Sequence, residues 1–179
     1  SPFTAVGLVL GVVSFFNILY GTLVGISKFE VKDIEFHHPN LPKAFDGYRI
    51  VQLSDIHIGS WIDNEKPINE LVELVNAQKP DLIVFTGDLV NQRSCELEGF
   101  QDILAQLHAK DGVYSILGNH DYGSYYHWKN LKEQVNNIDN LVRMQKTMGW
   151  KLLNNEYDIL HHEGDSIALI GVENDGEPP

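Results

Sequence analysis

Three short polar motifs carry the residues of this sequence that could do chemistry. They are Asp55-Ile56-His57, Gly87-Asp88 and Gly118-Asn119-His120-Asp121, and about thirty residues separate each motif from the next. Together they offer carboxylate oxygens, imidazole nitrogens and an amide oxygen. This mixed donor set suits divalent ions such as Zn, Mn, Fe or Co. An imidazole, which titrates near neutrality, can also transfer protons.

The composition of the motifs exceeds what a turn needs. A pair such as Asn-Gly makes an adequate turn, whereas Asn119, His120 and Asp121 stand side by side. For this motif taken alone, an ordinary polar loop is the alternative. Gly87 and Gly118 lack a Cβ atom, so they allow unusual backbone angles and the close approach of a metal or a phosphate.

A run typical of a β-strand precedes each motif. The three runs are residues 48–54, 81–86 and 113–117. Helical periodicity in residues 68–75 and 97–107 separates them, and this alternation predicts a sheet covered by helices. Because ligands bind at the carboxyl ends of the strands in an open α/β sheet, the motifs are expected to meet at one edge.

The rest of the chain completes the predicted α/β fold. A further helix is predicted around residues 138–148, and residues 151–153, 157–162 and 166–172 are predicted to form hairpin-connected strands. Residues 29–36 alternate loosely and predict a first strand, followed by a Pro/Gly-punctuated connector. The predicted fold class is α/β, a mixed β-sheet sandwich flanked by helices, incomplete and preceded by one transmembrane helix.

The N-terminal segment is predicted to cross a membrane. The 24 residues 3–26 contain no charged side chain, and a helix of that length spans a hydrocarbon layer of about 30 Å. A signal peptide and a buried soluble helix are the alternatives. The pairs Gly7/Gly11 and Gly21/Gly25 would allow other transmembrane helices to pack closely, although glycine is common in membrane helices in any case.

Composition excludes one class of function. The formal net charge of −12 and the pI near 4.9 argue against general nucleic-acid binding, which needs a basic surface. Cys95 is the single cysteine, so the chain forms no internal disulfide. The chain begins at Ser1 and stops just after a strand-like run, so we expect it to be a fragment of a longer protein.

The order and spacing of the three motifs resemble the calcineurin-like metallophosphoesterase family over about residues 45–175. The opening run FDGYRIVQLSDIHIGS, residues 45–60, is similar to the bacterial membrane-associated branch, which includes lipid-nucleotide and phospholipid-type phosphodiesterases. The resemblance implies an enzyme that hydrolyses phosphodiester or pyrophosphate bonds with a water activated by two metal ions. Its substrate would be a phosphate ester, lipid-linked or nucleotide-like.

The resemblance also implies a role for each motif residue. Asp55 and His57 would bind the first metal ion, Asp88 would bridge both ions, and Asn119 would bind the second. The two divalent ions would be Mn, Zn, Fe or Co.

Two further residues are implied to be catalytic. His120 would face the substrate phosphate and protonate the leaving oxygen, while Asp121 would orient the ring of His120.

Part of the family pattern is missing. The family uses a Gly-His motif and a later Gly-His-x-His motif downstream, and neither occurs here. We therefore divide the chain into a transmembrane helix (1–27), a strand and connector (28–47) and the N-terminal part of a phosphoesterase domain (48–179). The intact protein is expected to be the enzyme, at the cell membrane on a side that the sequence does not define, and this piece alone is expected to be inactive. The alternative is a non-catalytic membrane-anchored scaffold with a degenerate metal site.

Other histidines and aromatics have ordinary interpretations. The histidines outside the motifs are expected in connectors, at strand ends, in the core or on the surface; they are His37, His38, His108, His127, His161 and His162. Four aromatics near the motifs could stack on a base, cover an acyl chain or simply pack their rings; they are Trp61, Tyr122, Tyr125 and Tyr126.

Overall fold

The computed structural model describes residues 1–23 and 25–174 and divides the chain into two compact units, Ser1–Phe36 and His37–Pro179. The first unit contains helix α1 (Pro2–Leu23) and a 3-10 turn, Gly25–Ser27. By length and composition, the segment Pro2–Ser27 could cross a membrane, and its most apolar stretch is not buried. A signal sequence can have the same length and apolar composition.

The second unit is built on a parallel sheet of four strands in the order β1-β2-β3-β4. These strands are β1 (Ile50–Leu53), β2 (Leu82–Phe85), β3 (Val113–Ser115) and β4 (Lys151–Leu152). Three helices accompany the sheet: α2 (Lys66–Ala77), α3 (Gln101–Leu104) and α4 (Leu131–Thr147). Strands β5 (Glu156–His162) and β6 (Asp165–Gly171) form an antiparallel hairpin. The predicted α/β fold class is confirmed.

The three strands that precede the polar motifs end at the same level of the sheet. Leu53 pairs with Phe85, and Phe85 pairs with Ser115, in parallel register. Strand β2 lies in the centre and its residues Leu82 and Ile83 are fully buried, as expected for a strand covered on both faces. The loops that follow β1, β2 and β3 therefore leave the sheet at one edge.

Two predicted strands differ in the structure. The strand predicted at residues 29–36 is wrong: this stretch is irregular, and a strand requires a neighbour to complete its hydrogen-bond ladder. Residues 151–153 were predicted to belong to a hairpin, but Lys151–Leu152 pairs in parallel with β3 instead. The reason is the crossover through α4, which returns the chain in the direction of β3.

The hairpin packs against the sheet through its inner face. Leu160 of β5 joins a buried cluster with Leu82, Tyr114 and Leu153. The Tyr114 hydroxyl donates to the carboxylate of Asp158 at 2.6 Å, and burial raises the pKa of Tyr114 to about 12. This packing holds the hairpin in place, so that the residues after β6 reach the edge where the polar loops lie.

Candidate metal centre

Backbone hydrogen bonds join the first polar loop to the second. The amide of Asp55 donates to the carbonyl of Gly87 at 3.0 Å, and the amide of His57 donates to the carbonyl of Asp88 at 3.0 Å. Asp55, His57 and Asp88 all have left-handed backbones, with φ of 55°, 45° and 60°. Such conformations cost about 1–3 kcal/mol each and cluster at functional sites. The chain thus places three potential ligands on a shared, strained framework.

The third loop approaches the second so closely that only glycine fits at two positions. A Cβ atom on Gly118 would lie 2.2 Å from Oδ1 of Asp88, and one on Gly87 would lie 2.4 Å from the amide nitrogen of Gly118. The sequence had indicated close approach of a metal or a phosphate to these glycines. In the structure, the neighbour that approaches them is the adjacent loop.

His57 lies at the centre of the donor group. Its Nε2 atom is 3.8 Å from Oδ1 of Asp55 and 3.8 Å from Oδ2 of Asp88. Ligand atoms of His57, Asp88 and His120 all lie within 4.8 Å of one another. Donors that share one small divalent ion at about 2.0–2.2 Å lie roughly 3–4 Å apart. The two 3.8 Å separations around His57 and the mixed nitrogen and oxygen chemistry therefore fit a divalent metal ion.

Asp88 also belongs to a second group of polar side chains. It lines a cleft of about 370 Å³ together with Asp55 and Asn119. The cleft continues over residues that follow β2, β3 and β6; these are Thr86, Ile116, Leu117, Gly118, Val172, Glu173 and Asn174. Asp88 therefore both contacts His57 and lines this cleft.

The imidazole of His120 is held through one of its two ring nitrogens. Its Nδ1 atom lies 2.7 Å from the carbonyl oxygen of Asn91. Because a carbonyl only accepts hydrogen bonds, Nδ1 carries a proton, and Nε2 is the nitrogen that a metal or a substrate would meet. The backbone amide of His120 donates to Oδ1 of Asp88 at 2.9 Å, which ties this histidine to the donor group.

Asp121 does not have the predicted contacts. Its side chain is fully buried, and its carboxylate accepts from four backbone amides at 2.8–3.1 Å; they are those of Asp88, Leu89, Val90 and Gly118. Burial raises the pKa of Asp121 to about 6, while the amides of Gly118 and Val90 act in the opposite direction. The prediction that Asp121 orients the His120 ring is wrong, because the Asn91 carbonyl contacts that ring and Asp121 joins two loops.

Sequence reasoning missed two residues at this edge. Asn91 supplies only its carbonyl oxygen to His120, so its side-chain identity carried no signal. Glu173 follows β6 and lines the cleft, with its carboxylate held by the side-chain amides of Asn154 and Asn155 at 3.0 and 2.6 Å. Its position behind a predicted strand was the available signal.

The histidines outside the motifs lie elsewhere in the part of the chain that the structure describes. The ring of His162, for example, contacts the rings of Phe45 and Tyr48 at centroid distances of 5.6 and 5.3 Å. The Nδ1 atom of His108 lies 3.1 Å from the carbonyl of Gln106. Among residues 1–23 and 25–174, the side chains grouped closely enough to suggest a metal site are His57, Asp88 and His120, one from each motif.

Fold and site together define a class of protein: an α/β domain whose parallel sheet presents nitrogen and oxygen donors for divalent metals at its carboxyl edge. Residues 48–176 match the family described as Calcineurin-like phosphoesterase. This match covers most of the chain and includes all three polar motifs. The chain belongs to the calcineurin-like phosphoesterase family, as its sequence motifs predicted.

Similar proteins include a transmembrane protein and a pyrophosphatase. A transmembrane protein with metallophosphoesterase domain from Danio rerio is 35% identical over 158 residues, which cover 87% of this chain and 33% of that protein. The UDP-2,3-diacylglucosamine pyrophosphatase LpxG from Chlamydia trachomatis is 36% identical over 103 residues, covering 55% of this chain and 31% of that protein. The chain thus spans about a third of the length of these curated relatives.

A solved structure is also similar. It is the phosphopantetheinyl hydrolase of Mycobacterium tuberculosis, with a TM-score of 0.44 and 19% sequence identity. The alignment covers 69% of this chain and 41% of that one.

Proposed function

We propose that the whole protein is a membrane-anchored, metal-dependent hydrolase of phosphodiester or pyrophosphate bonds. The observation that carries the proposal is the position of His57 Nε2, 3.8 Å from the carboxylates of both Asp55 and Asp88. Membership of the calcineurin-like phosphoesterase family supports the same chemistry. A relative named as a pyrophosphatase of a diacylated sugar nucleotide supports a lipid-linked or nucleotide-like phosphate ester as substrate.

Four side chains would hold the metal ions. Asp55 and His57 would hold one divalent ion, Asn119 would hold a second, and Asp88 would contact both. When bound, two ions such as Mn, Zn, Fe or Co supply an activated water and neutralise the charge of the phosphate.

His120 completes the proposed reaction as a proton donor. Its Nδ1–H group donates a hydrogen bond to the Asn91 carbonyl, so Nε2 is the nitrogen that would meet the substrate. For this step both ring nitrogens of His120 would carry a proton. As the oxygen of water bonds to phosphorus and releases its proton to solvent, the bond from phosphorus to the leaving group would break and Nε2 would give its proton to the leaving oxygen. Asp121 contributes by holding the loop of Asp88 against the loop of His120. This keeps the proposed metal ligand Asp88 close to the proposed acid His120.

Removing the metal from the intact protein should abolish hydrolysis. We expect chelation to lower the hydrolysis of bis(p-nitrophenyl) phosphate at least 10²-fold and Mn²⁺ to restore it, since the ions contribute several kcal/mol to transition-state stabilisation, about tenfold in rate per 1.4 kcal/mol. Elemental analysis and rate measurements before and after reconstitution check this. The His57→Ala protein treated identically is the control and should not recover. A full-length protein that neither binds metal nor hydrolyses a phosphodiester would support the non-catalytic scaffold instead.

We further propose three segments: a transmembrane helix at residues 1–27, a connector at 28–47 and the N-terminal part of the phosphoesterase domain at 48–179. The anchor would place the active centre at the cell membrane, where neighbouring transmembrane helices could pack on its glycine pairs. Support comes from the uncharged, unburied helix α1 and from the transmembrane relative.

Deleting residues 1–26 should release the protein from membranes. In a protein that begins at Ser1, the deletion removes the apolar helix and no proposed ligand, so we expect membrane retention to fall while metal content stays the same. Fractionation of cells with a carbonate wash, followed by elemental analysis, measures both. If the undeleted protein remains in solution without detergent, the anchor is refuted.

A further inference from the structure

We propose that Tyr125 is a positioning residue of this metal centre, whose hydroxyl holds the Asn119 side chain with its amide oxygen toward the metal. The inference rests on the proposed function, because it concerns how a proposed ligand is presented. Tyr125 stands six residues after Asn119, in the loop that follows β3. Its side chain is half exposed, with a relative accessibility of 50%.

The argument begins with the asymmetry of an amide. The asparagine side chain has an oxygen that accepts and a nitrogen that only donates, and a hard divalent cation binds the oxygen. Turning the amide by half a revolution exchanges the two atoms with almost no change of shape. A ligand asparagine is therefore presented correctly when a neighbour engages its nitrogen and leaves its oxygen toward the metal.

Tyr125 is that neighbour in the structure. The Nδ2 atom of Asn119 donates to the hydroxyl oxygen of Tyr125 at 2.9 Å, which leaves Oδ1 of the amide as the free acceptor. Asn119 lines the same cleft as Asp55 and Asp88. The hydrogen bond thus holds the side chain in the orientation in which the oxygen is available to join those carboxylates.

The ring of Tyr125 contacts the other functional residue of the loop. Its centroid lies 4.7 Å from that of His120, with the rings inclined by 38°. The imidazole of His120 also meets the His57 ring edge-to-face, with the ring centroids 4.7 Å apart. Replacing Tyr125 by phenylalanine would keep the ring contact and remove only the hydroxyl, so this substitution isolates the effect on Asn119.

The adjacent tyrosine offers a matched control. The ring of Tyr126 contacts Trp128 at 4.6 Å, and the guanidinium of Arg93 lies over it at 5.0 Å. These partners belong to neither donor group. Tyr126→Phe therefore makes the same chemical change, at the next position of the same loop, without touching Asn119.

The test is metal affinity in the full-length protein. Losing an outer-shell partner of a metal ligand typically weakens metal binding about 10–100-fold. We expect Tyr125→Phe to weaken Mn²⁺ binding, measured by titration calorimetry, about tenfold, and to change the ligand-field absorption of bound Co²⁺. Tyr126→Phe should leave affinity within about twofold of the unmodified protein, as expected for a residue outside the site.

A second variant separates orientation from loss of stability. A carboxylate presents two equivalent oxygens, so Asn119→Asp needs no orienting partner, and in that background Tyr125→Phe should cost less than about twofold in affinity. The inference would be overturned if Tyr125→Phe weakened Mn²⁺ binding as much in the Asn119→Asp background as in the unmodified protein. It would also be overturned if Tyr126→Phe weakened Mn²⁺ binding as much as Tyr125→Phe. Unchanged Mn²⁺ affinity in Tyr125→Phe alone would overturn it as well. Failure of the unmodified protein to bind Mn²⁺ or Co²⁺ would overturn the proposed function itself and the inference with it.

Discussion

Replacing Asp88 by asparagine in the intact protein should abolish metal-dependent phosphodiester hydrolysis. We expect kcat/KM to fall by at least about 10³-fold, because loss of both metal sites removes several kcal/mol of transition-state stabilisation. The expectation comes from the position of one carboxylate: Oδ2 lies 3.8 Å from His57 Nε2, and the same side chain opens onto the cleft that Asn119 lines.

The substitution changes charge more than shape. The Asp88 side chain is only 13% exposed, and its Oδ1 accepts the amide hydrogen of His120 at 2.9 Å. An asparagine oxygen can keep that hydrogen bond, so the loop geometry should persist while the negative charge proposed to serve both ions disappears. Metal content should therefore fall together with activity, and the unfolding midpoint of the metal-free protein should change little.

The measurement compares kcat/KM and bound metal in the purified variant and in the unmodified protein. Asp139→Asn makes the same change on the exposed side of α4 and should retain both activity and metal. Near-normal turnover of Asp88→Asn with Mn²⁺ would contradict the assignment of a shared carboxylate. Loss of only one of two bound ions would show that Asp88 serves a single site.

His120→Ala should separate proton transfer from metal binding. If Nε2 meets the leaving oxygen, the variant keeps most of its metal while kcat falls about 10²–10⁴-fold, the usual contribution of a general acid. The deficit should shrink for a nitrophenyl phosphodiester, whose leaving group needs less protonation, and should remain large for an alkyl phosphodiester.

The geometry leaves a clear competing role for this histidine. A ligand atom of His120 lies within 4.8 Å of ligand atoms of His57 and Asp88, which would allow it to be a third ligand of one ion. Elemental analysis beside rates on both substrates distinguishes the two roles. Loss of metal, or an equal deficit on good and poor leaving groups, would mean that His120 is not the acid. His127→Ala, at an exposed position outside the donor group, is the control.

The donor types and their order along the chain were readable from the sequence. The strand-like run at 81–86 predicted a strand, and Leu82–Phe85 is that strand. Alternation of such strands with helices predicted one common edge for the three motifs, because parallel strands end together. Local patterning and short-range spacing were sufficient for these conclusions, and for membership of the family.

Tertiary structure decided which groups each polar residue contacts. The carboxylate of Asp121 stands next to His120 in sequence, yet it bonds to the amides of Leu89 and Val90 in another loop. The His120 ring is held by the carbonyl of Asn91 instead. Backbone amides and carbonyls are the same at every non-proline residue, so their use as partners leaves no trace in residue identity.

The direction of β4 and the absence of a strand at residues 29–36 have a related cause. A strand exists only where a neighbour completes its ladder, and that neighbour is chosen by the packing of elements far apart in sequence. Lys151–Leu152 finds its partner in β3 because α4 carries the chain back alongside it. Sequence determined the chemical groups of this protein, whereas their contacts depended on long-range packing that local patterns do not encode.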